Sequence, residues 1–172
     1  MFTAILLGAP TWVWPLLAAL IALGVSQAFP RTMTLRRATI VPVALIVFSL
    51  SGVATTFRGQ GIAILAWALS VAVAASLAAA AGAWRGIAWL PQQQRLHVPG
   101  SWWPMALILS LFITKFAVGI TLAMQPSLAR DALFALAVGA LYGSFSGLFL
   151  SRGLAMWRVA HASLTQLTQQ SA

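Results

Sequence analysis

The chain alternates long apolar runs with short polar breaks, and five runs approach the roughly 20 residues a helix needs to cross a hydrocarbon core. They lie at about residues 11–28, 39–57, 62–84, 102–124 and 133–151. Only Arg58-Gly59-Gln60-Gly61 separates the second run from the third, a tight turn that forces an antiparallel pair. Pro15 and Pro42 fall in the first turns of their predicted helices, where a missing N–H costs little. The longest polar break, residues 85–101 (RGIAWLPQQQRLHVPGS), carries Pro91 and three glutamines that end any helix. It leaves residues 95–98 as a short extended piece before Pro99-Gly100. The tail at about 161–172 is expected to prolong the fifth helix briefly and then fray.

Composition turns this pattern into a solvent. Apolar residues make up 61% of the chain and charged ones 6%, against roughly 25% charged in a water-soluble domain. So little charge cannot coat a water-facing exterior. The pattern predicts an all-α integral membrane protein, a single domain of five transmembrane helices. Ser26-Gln27-Ala28 resembles a signal-peptidase site, but no Lys or Arg precedes Arg31, so the first helix is expected to be retained.

Charge then sets the orientation. Net charge is +9, from nine Arg and one Lys against a single acid, Asp131. Arg31, Arg36, Arg37, Arg85, Arg95, Arg152 and Arg158 fall on one side of the predicted bundle; only Arg58 and Arg130 fall on the other. The positive-inside rule places the N-terminus outside and the C-terminus in the cytoplasm. Arginines scattered between apolar runs argue against nucleic acid as a partner and for membrane lipids. Trp12 and Trp14, and at the opposite interface Trp84, Trp89, Trp102, Trp103 and Trp157, read as aromatic belts.

The sharpest chemical feature is Lys115, near the middle of the fourth run in LFITKFAVG. A central lysine costs roughly 2.5–3.5 kcal/mol on insertion scales, and the tilt of helical side chains aims this one deeper rather than toward an interface. Something must solvate it. Counting depth along the fourth and fifth helices puts Tyr142 level with it, with Ser144 and Ser146 slightly deeper. Tyr142, by ring face or hydroxyl, and one of those serines are the expected partners. Asp131 suits the N-terminus of the fifth helix instead.

Small residues recur every fourth position at Gly139, Gly143 and Gly147, and again at Ala66, Ser70, Ala74, Ala78 and Gly82. Ser110, Thr114, Ala117 and Thr121 form a third stripe. Such stripes let helix backbones approach closely in lipid. Packing inside the bundle is the expected use, with a homo-oligomer contact as the alternative. There is no internal repeat of the kind that inverted-repeat transporters carry. No cysteine is present, and two histidines with one carboxylate make no metal cage. No catalytic constellation is evident, so neither enzyme activity nor a cofactor is expected.

The segments LHVPGSWWPMALILSLFITKFAVGITLAMQPSL, FALAVGALYGSFSGLFLSRGLAMWR and TWVWPLLAALIALGVSQ resemble a family of small bacterial inner-membrane proteins known only as a domain of unknown function. PGSW, KFAVG with its lysine, AMQP and GALYG followed by FSGLF occur together and in order. The resemblance implies a bacterial inner-membrane location and supplies no activity or site residue. The functional expectation therefore rests on the residues. A pocket around Lys115, formed by the fourth and fifth helices, would bind or transport an anionic small molecule, a lipid head group or a proton. The alternative is a structural or accessory subunit that packs through its small-residue stripes and takes no ligand.

Overall fold

The computed structural model describes Thr11 and residues 13–170; Trp12 and the last two residues of the tail lie outside the described residues. The order is α1 (Val13–Ala28), β1 (Arg31–Met33), α2 (Leu35–Thr56), α3 (Gly61–Ala80), β2 (Ala88–Leu90), β3 (Arg95–Val98), α4 (Trp103–Met124), a 3-10 turn (Pro126–Arg130) and α5 (Ala132–Gln170). The chain is thus an all-α bundle with a small sheet at one end. α2, α3, α4 and α5 are long and apolar enough to cross a membrane; α1 is apolar but shorter, at 16 residues.

α5 is the spine. Its 39 residues make a helix of ~58 Å at 1.5 Å per residue, so the expected short continuation is an unbroken extension of several turns. Its broadest contact is with α3 and its next with α2. Both small-residue stripes meet in the first of these. A Cβ on Gly143 would stand 2.9 Å from the Ser70 Cβ and from the Trp67 Cα, and closer still to the Trp67 carbonyl. One on Gly147 would stand 2.9 Å from the Ala74 Cβ, and one on Gly139 would strike the Ala63 carbonyl. Ala78, further along the stripe, is buried. Gly82 does not belong to it. There the chain takes φ +61° while the N–H of Gly82 and that of Ala83 bond back to Ala79 and Ala78. This is a glycine-terminated helix end, and it stops α3 four residues before the predicted boundary at 84.

α4 leans chiefly on α1 and only lightly on α5, although a short loop joins it to α5. Gly24 of α1 makes room for Met105, whose Cγ would lie 2.7 Å from a Cβ there. Asp131 caps α5 through a 2.7 Å bond from the Phe134 N–H, and Gln60 Nε2 donates to the Ala129 carbonyl at 2.8 Å. These two bonds close the end of the bundle opposite the sheet.

At the basic end, β3 lies between β1 and β2, antiparallel to both, with Leu96 facing Met33 and Trp89 in register. The extended piece expected at 95–98 is β3; three-residue strands such as its two partners carry too little alternation to be seen in advance. The sheet packs Leu96 and Val98 under Met156 and Ala160 of the α5 extension and Ala38 of α2. Because it pairs the loop after α1 with the loop after α3, it fixes those two loops at the same end. α2 begins at Leu35, so Pro42 is an interior residue rather than a first-turn one. It leaves the Ala38 carbonyl without its helical N–H partner.

The α3–α5 contact generates a sharp prediction. Gly143→Val should destabilise the protein by about 2 kcal/mol or more, the scale of an overpacked core. Gly119→Ala, on α4 with open space around it, should be neutral or stabilising by up to about 1 kcal/mol. Thermal unfolding of both variants in neutral detergent compares them.

Candidate functional site

Lys115 reaches across the bundle rather than into lipid. Its Nζ lies 3.8 Å from the centre of the Phe48 ring and 5.2 Å from that of Tyr142. It sits in a notch left by Gly52, where a Cβ would stand 3.0 Å from it. Two aromatic faces therefore take the place of water. Each such contact contributes about 0.5–2 kcal/mol, more when dry, which together offset most of the roughly 2.5–3.5 kcal/mol insertion cost. The partner expected by depth, Tyr142, is present through its ring face. Phe48 and Gly52 of α2 are additions that depth counting on α4 and α5 alone does not reach.

The serines are placed otherwise. Ser144 Oγ donates to the Ala140 carbonyl at 2.9 Å and Ser146 Oγ to the Tyr142 carbonyl at 2.9 Å, both within α5. A serine hydroxyl in lipid takes the nearest free carbonyl lone pair, four residues back, before a distant ammonium. Ser49 of α2 also donates to the Tyr142 carbonyl, at 3.3 Å, and accepts from Trp67 Nε1 of α3 at 3.1 Å. The Ser49 hydroxyl thus stitches α2, α3 and α5 together beside the lysine.

A second cationic site lies at the basic end. Arg152 is only 8% exposed, on the buried α5 face that runs through Val138, Tyr142, Phe149, Met156 and Ala160. Its Nη1 donates to Gln27 Oε1 of α1 at 2.7 Å, and its guanidinium lies 5.6 Å from the Trp84 ring centre. Gln27 is itself buried, and its backbone carbonyl accepts from the Ser101 N–H at 3.1 Å. Trp84 donates to Ser151 Oγ at 2.8 Å, so this tryptophan of the predicted belt turns inward. Arg152, Gln27, Arg31 and Arg37 line one cavity of about 360 Å³, within the roughly 300–1,000 Å³ of small-molecule sites. Arg31 is near enough to Arg152 for their charges to repel, and burial pushes the Arg31 guanidinium below its ordinary value. The chain's one acidic side chain, Asp131, caps α5 at the far end.

A second cavity, of about 400 Å³, is lined by Trp84, Arg85, Ser151 and Arg158. Lys115 lines neither cavity. Sequence reasoning placed Arg31, Arg37 and Arg152 correctly at one end but took them for solvated orientation charges. A signal was available: Arg152 continues the three-and-four spacing of buried α5 residues, where a lipid- or water-facing arginine does not belong.

The family comparison covers this whole framework, matching a family of unknown function over residues 1–166. The chain belongs to the DUF6622 family. No curated protein and no solved structure matches it. In this DUF6622 protein, then, the two cationic sites must be read from their own chemistry. Lys115, set between two rings and lining neither of these cavities, is clamped by the rings. Arg152 has a neutral hydrogen-bond partner, two further arginines lining the same cavity and open volume in front of it.

If the rings hold Lys115, a double-mutant cycle of Lys115→Met and Phe48→Leu should return a coupling of about 0.5–2 kcal/mol. Lys115→Met alone should leave the protein folded, with stability changed by no more than about 1 kcal/mol, because insertion cost and ring contacts nearly cancel. Thermal melts in neutral detergent give both values; zero coupling would remove the clamp.

Proposed function

We propose that this DUF6622 protein is a non-enzymatic, polytopic protein of the bacterial inner membrane that holds an anion in the cavity at its basic end. The observation that carries this reading is the buried Arg152 guanidinium, hydrogen-bonded to a neutral Gln27 in a cavity that Arg31 and Arg37 also line. A buried, unpaired cation costs several kcal/mol even after relaxation. A hydrogen bond to a charged group contributes about 1.5–3 kcal/mol, and the Trp84 face about 0.5–2 more. Repulsion from Arg31 works against both. A bound anion closes the remaining deficit, and phosphate suits it best because guanidinium forks match phosphate oxygens in pairs.

In this reading α1 is the fifth span, the N-terminus is outside and the basic end faces the cytoplasm. Pairing of the first and third loops in one sheet supports the odd and even helices running in alternate directions. The chain has no cysteine, so introduced ones report cleanly. Arg58→Cys should react with a membrane-impermeant maleimide in intact spheroplasts, and Gln93→Cys only after lysis. The reverse pattern inverts the topology.

The anion reading is tested by thermal unfolding of the purified protein in neutral detergent against a panel running from inorganic phosphate to short-chain phosphatidylglycerol. At a hundredfold excess over its Kd, a true ligand stabilises by about 2.7 kcal/mol. The protection should shrink at least about fivefold in apparent affinity in Arg31→Gln. Should every compound leave the midpoint unmoved, the cavity is not an anion site.

A further inference from the structure

The lining of the basic cavity also says what form its anion takes, granted that the cavity is an anion site. Three helices contribute to it, and each presents the same order of residues along the bundle axis. On α1, Gln27 stands at the basic end and Leu23 one turn deeper. On α2, Arg37 stands at the basic end and Ile40, then Pro42, lie deeper. On α5, Arg152 stands at the basic end and Phe149 one turn deeper. The cavity is therefore graded by depth: its cationic and amide groups all lie toward the basic end, beside Met33 and Met156, and only apolar residues lie below them. A free phosphate or a small soluble acid would use only the upper half.

The lower half is open at its side. α1 and α2 scarcely touch each other, and the two residues flanking the gap, Leu23 and Ile40, are 42% and 61% exposed. In a membrane that exposure faces acyl chains. The missing helical bond at Pro42 falls on the same stretch of α2, at Ala38, and both residues line the cavity. A cavity that is polar at the interface, apolar toward the midplane and open between two helices has the polarity of a bilayer leaflet. Basic pockets between helices on the cytoplasmic side are suited to phosphorylated lipid head groups.

We propose that the occupant is an anionic phospholipid of the inner leaflet, with its phosphate on Arg31, Arg37 and Arg152. One acyl chain runs down the α1–α2 cleft along Leu23, Ile40 and Phe149. Arg152 recognises the phosphate from inside the bundle, while Arg31 and Arg37 close over it from β1 and the first turn of α2. Gln27 Oε1 holds the Arg152 guanidinium in place through Nη1. The lipid would then join α1 to α2, two helices that the protein itself hardly connects.

The test compares four probes on the purified full chain in neutral detergent: dioctanoyl phosphatidylglycerol, dioctanoyl phosphatidylcholine, glycerol 3-phosphate and inorganic phosphate. Midpoint shifts on thermal unfolding give apparent affinities. Phosphatidylglycerol should bind at least about tenfold more tightly than each of the other three. That advantage should fall at least about fivefold in Arg31→Gln and Arg37→Gln, two variants of partly or fully exposed side chains that do not disturb the bundle interior. Arg85→Gln, at the same end but lining the other cavity, should retain it. If glycerol 3-phosphate or inorganic phosphate protects as well as the lipid, the site takes a soluble anion; the lipid proposal then fails while the anion reading stands. If no probe protects, both fail together. If phosphatidylglycerol protects wild type, Arg31→Gln, Arg37→Gln and Arg85→Gln alike, its effect is general attraction to a basic surface, and the proposal is overturned.

Discussion

The bundle depends on how near α3 and α5 can come. Lipid tails are as apolar as leucine, so helices in a membrane gain little from hiding hydrocarbon and must gain from close packing instead. Gly139, Gly143 and Gly147 expose the α5 backbone to the carbonyls of Ala63, Trp67 and Val71, while Ser70 and Ala74 are small enough to fill the space between. That contact makes α5 a fixed axis where it faces α3. Tyr142 and Arg152 are both carried on it, as is the Met156–Ala160 surface that the small sheet packs against. Loosening the axis would move every polar feature of the protein at once.

The two interior cations are accommodated by opposite means. Lys115 meets two π faces and a glycine notch, arrangements that satisfy a compact ammonium without any fixed donor geometry. Arg152 presents a planar fork with several N–H groups, which rings alone cannot satisfy. It receives one amide oxygen and open volume. The first arrangement is complete within the protein and ties α4 to α2 and α5, helices on which α4 otherwise leans only lightly. The second leaves part of the fork facing open volume. The difference lies in what surrounds each cation rather than in depth or charge.

Much of this was legible in the residue pattern because membrane helices are written in long runs. The five helices, the turn at residues 58–60, the extended piece at 95–98 and the level of Tyr142 beside Lys115 all follow from length and counting. What was not legible depends on contacts between distant segments. Phe48 joins the lysine because the Lys115 side chain reaches past α5 to the face of α2. Gln27 is an unremarkable polar residue near a helix end until α5 brings Arg152 against it, 125 positions later in the chain. β1 and β2 escaped for the same reason, since three residues hold no period and their pairing is set by the bundle. Ser144 and Ser146 illustrate a local rule overriding a longer-range one: the carbonyl one turn back satisfied each hydroxyl first.

The separation between Gln27 and Arg152 also orders events during synthesis. α1 and β1 emerge early, but β1 has no partner until the β2–β3 hairpin follows α3. Trp84 lacks its partners across the bundle until the last helix brings Ser151 and Arg152 to it. Until then Gln27, Arg31 and Arg37 stand beside a cleft that α5 has not yet closed. The interior of the basic end is thus closed from the C-terminal side. In the anion reading proposed above, a molecule bound there early would be enclosed by folding and would not have to enter a finished protein.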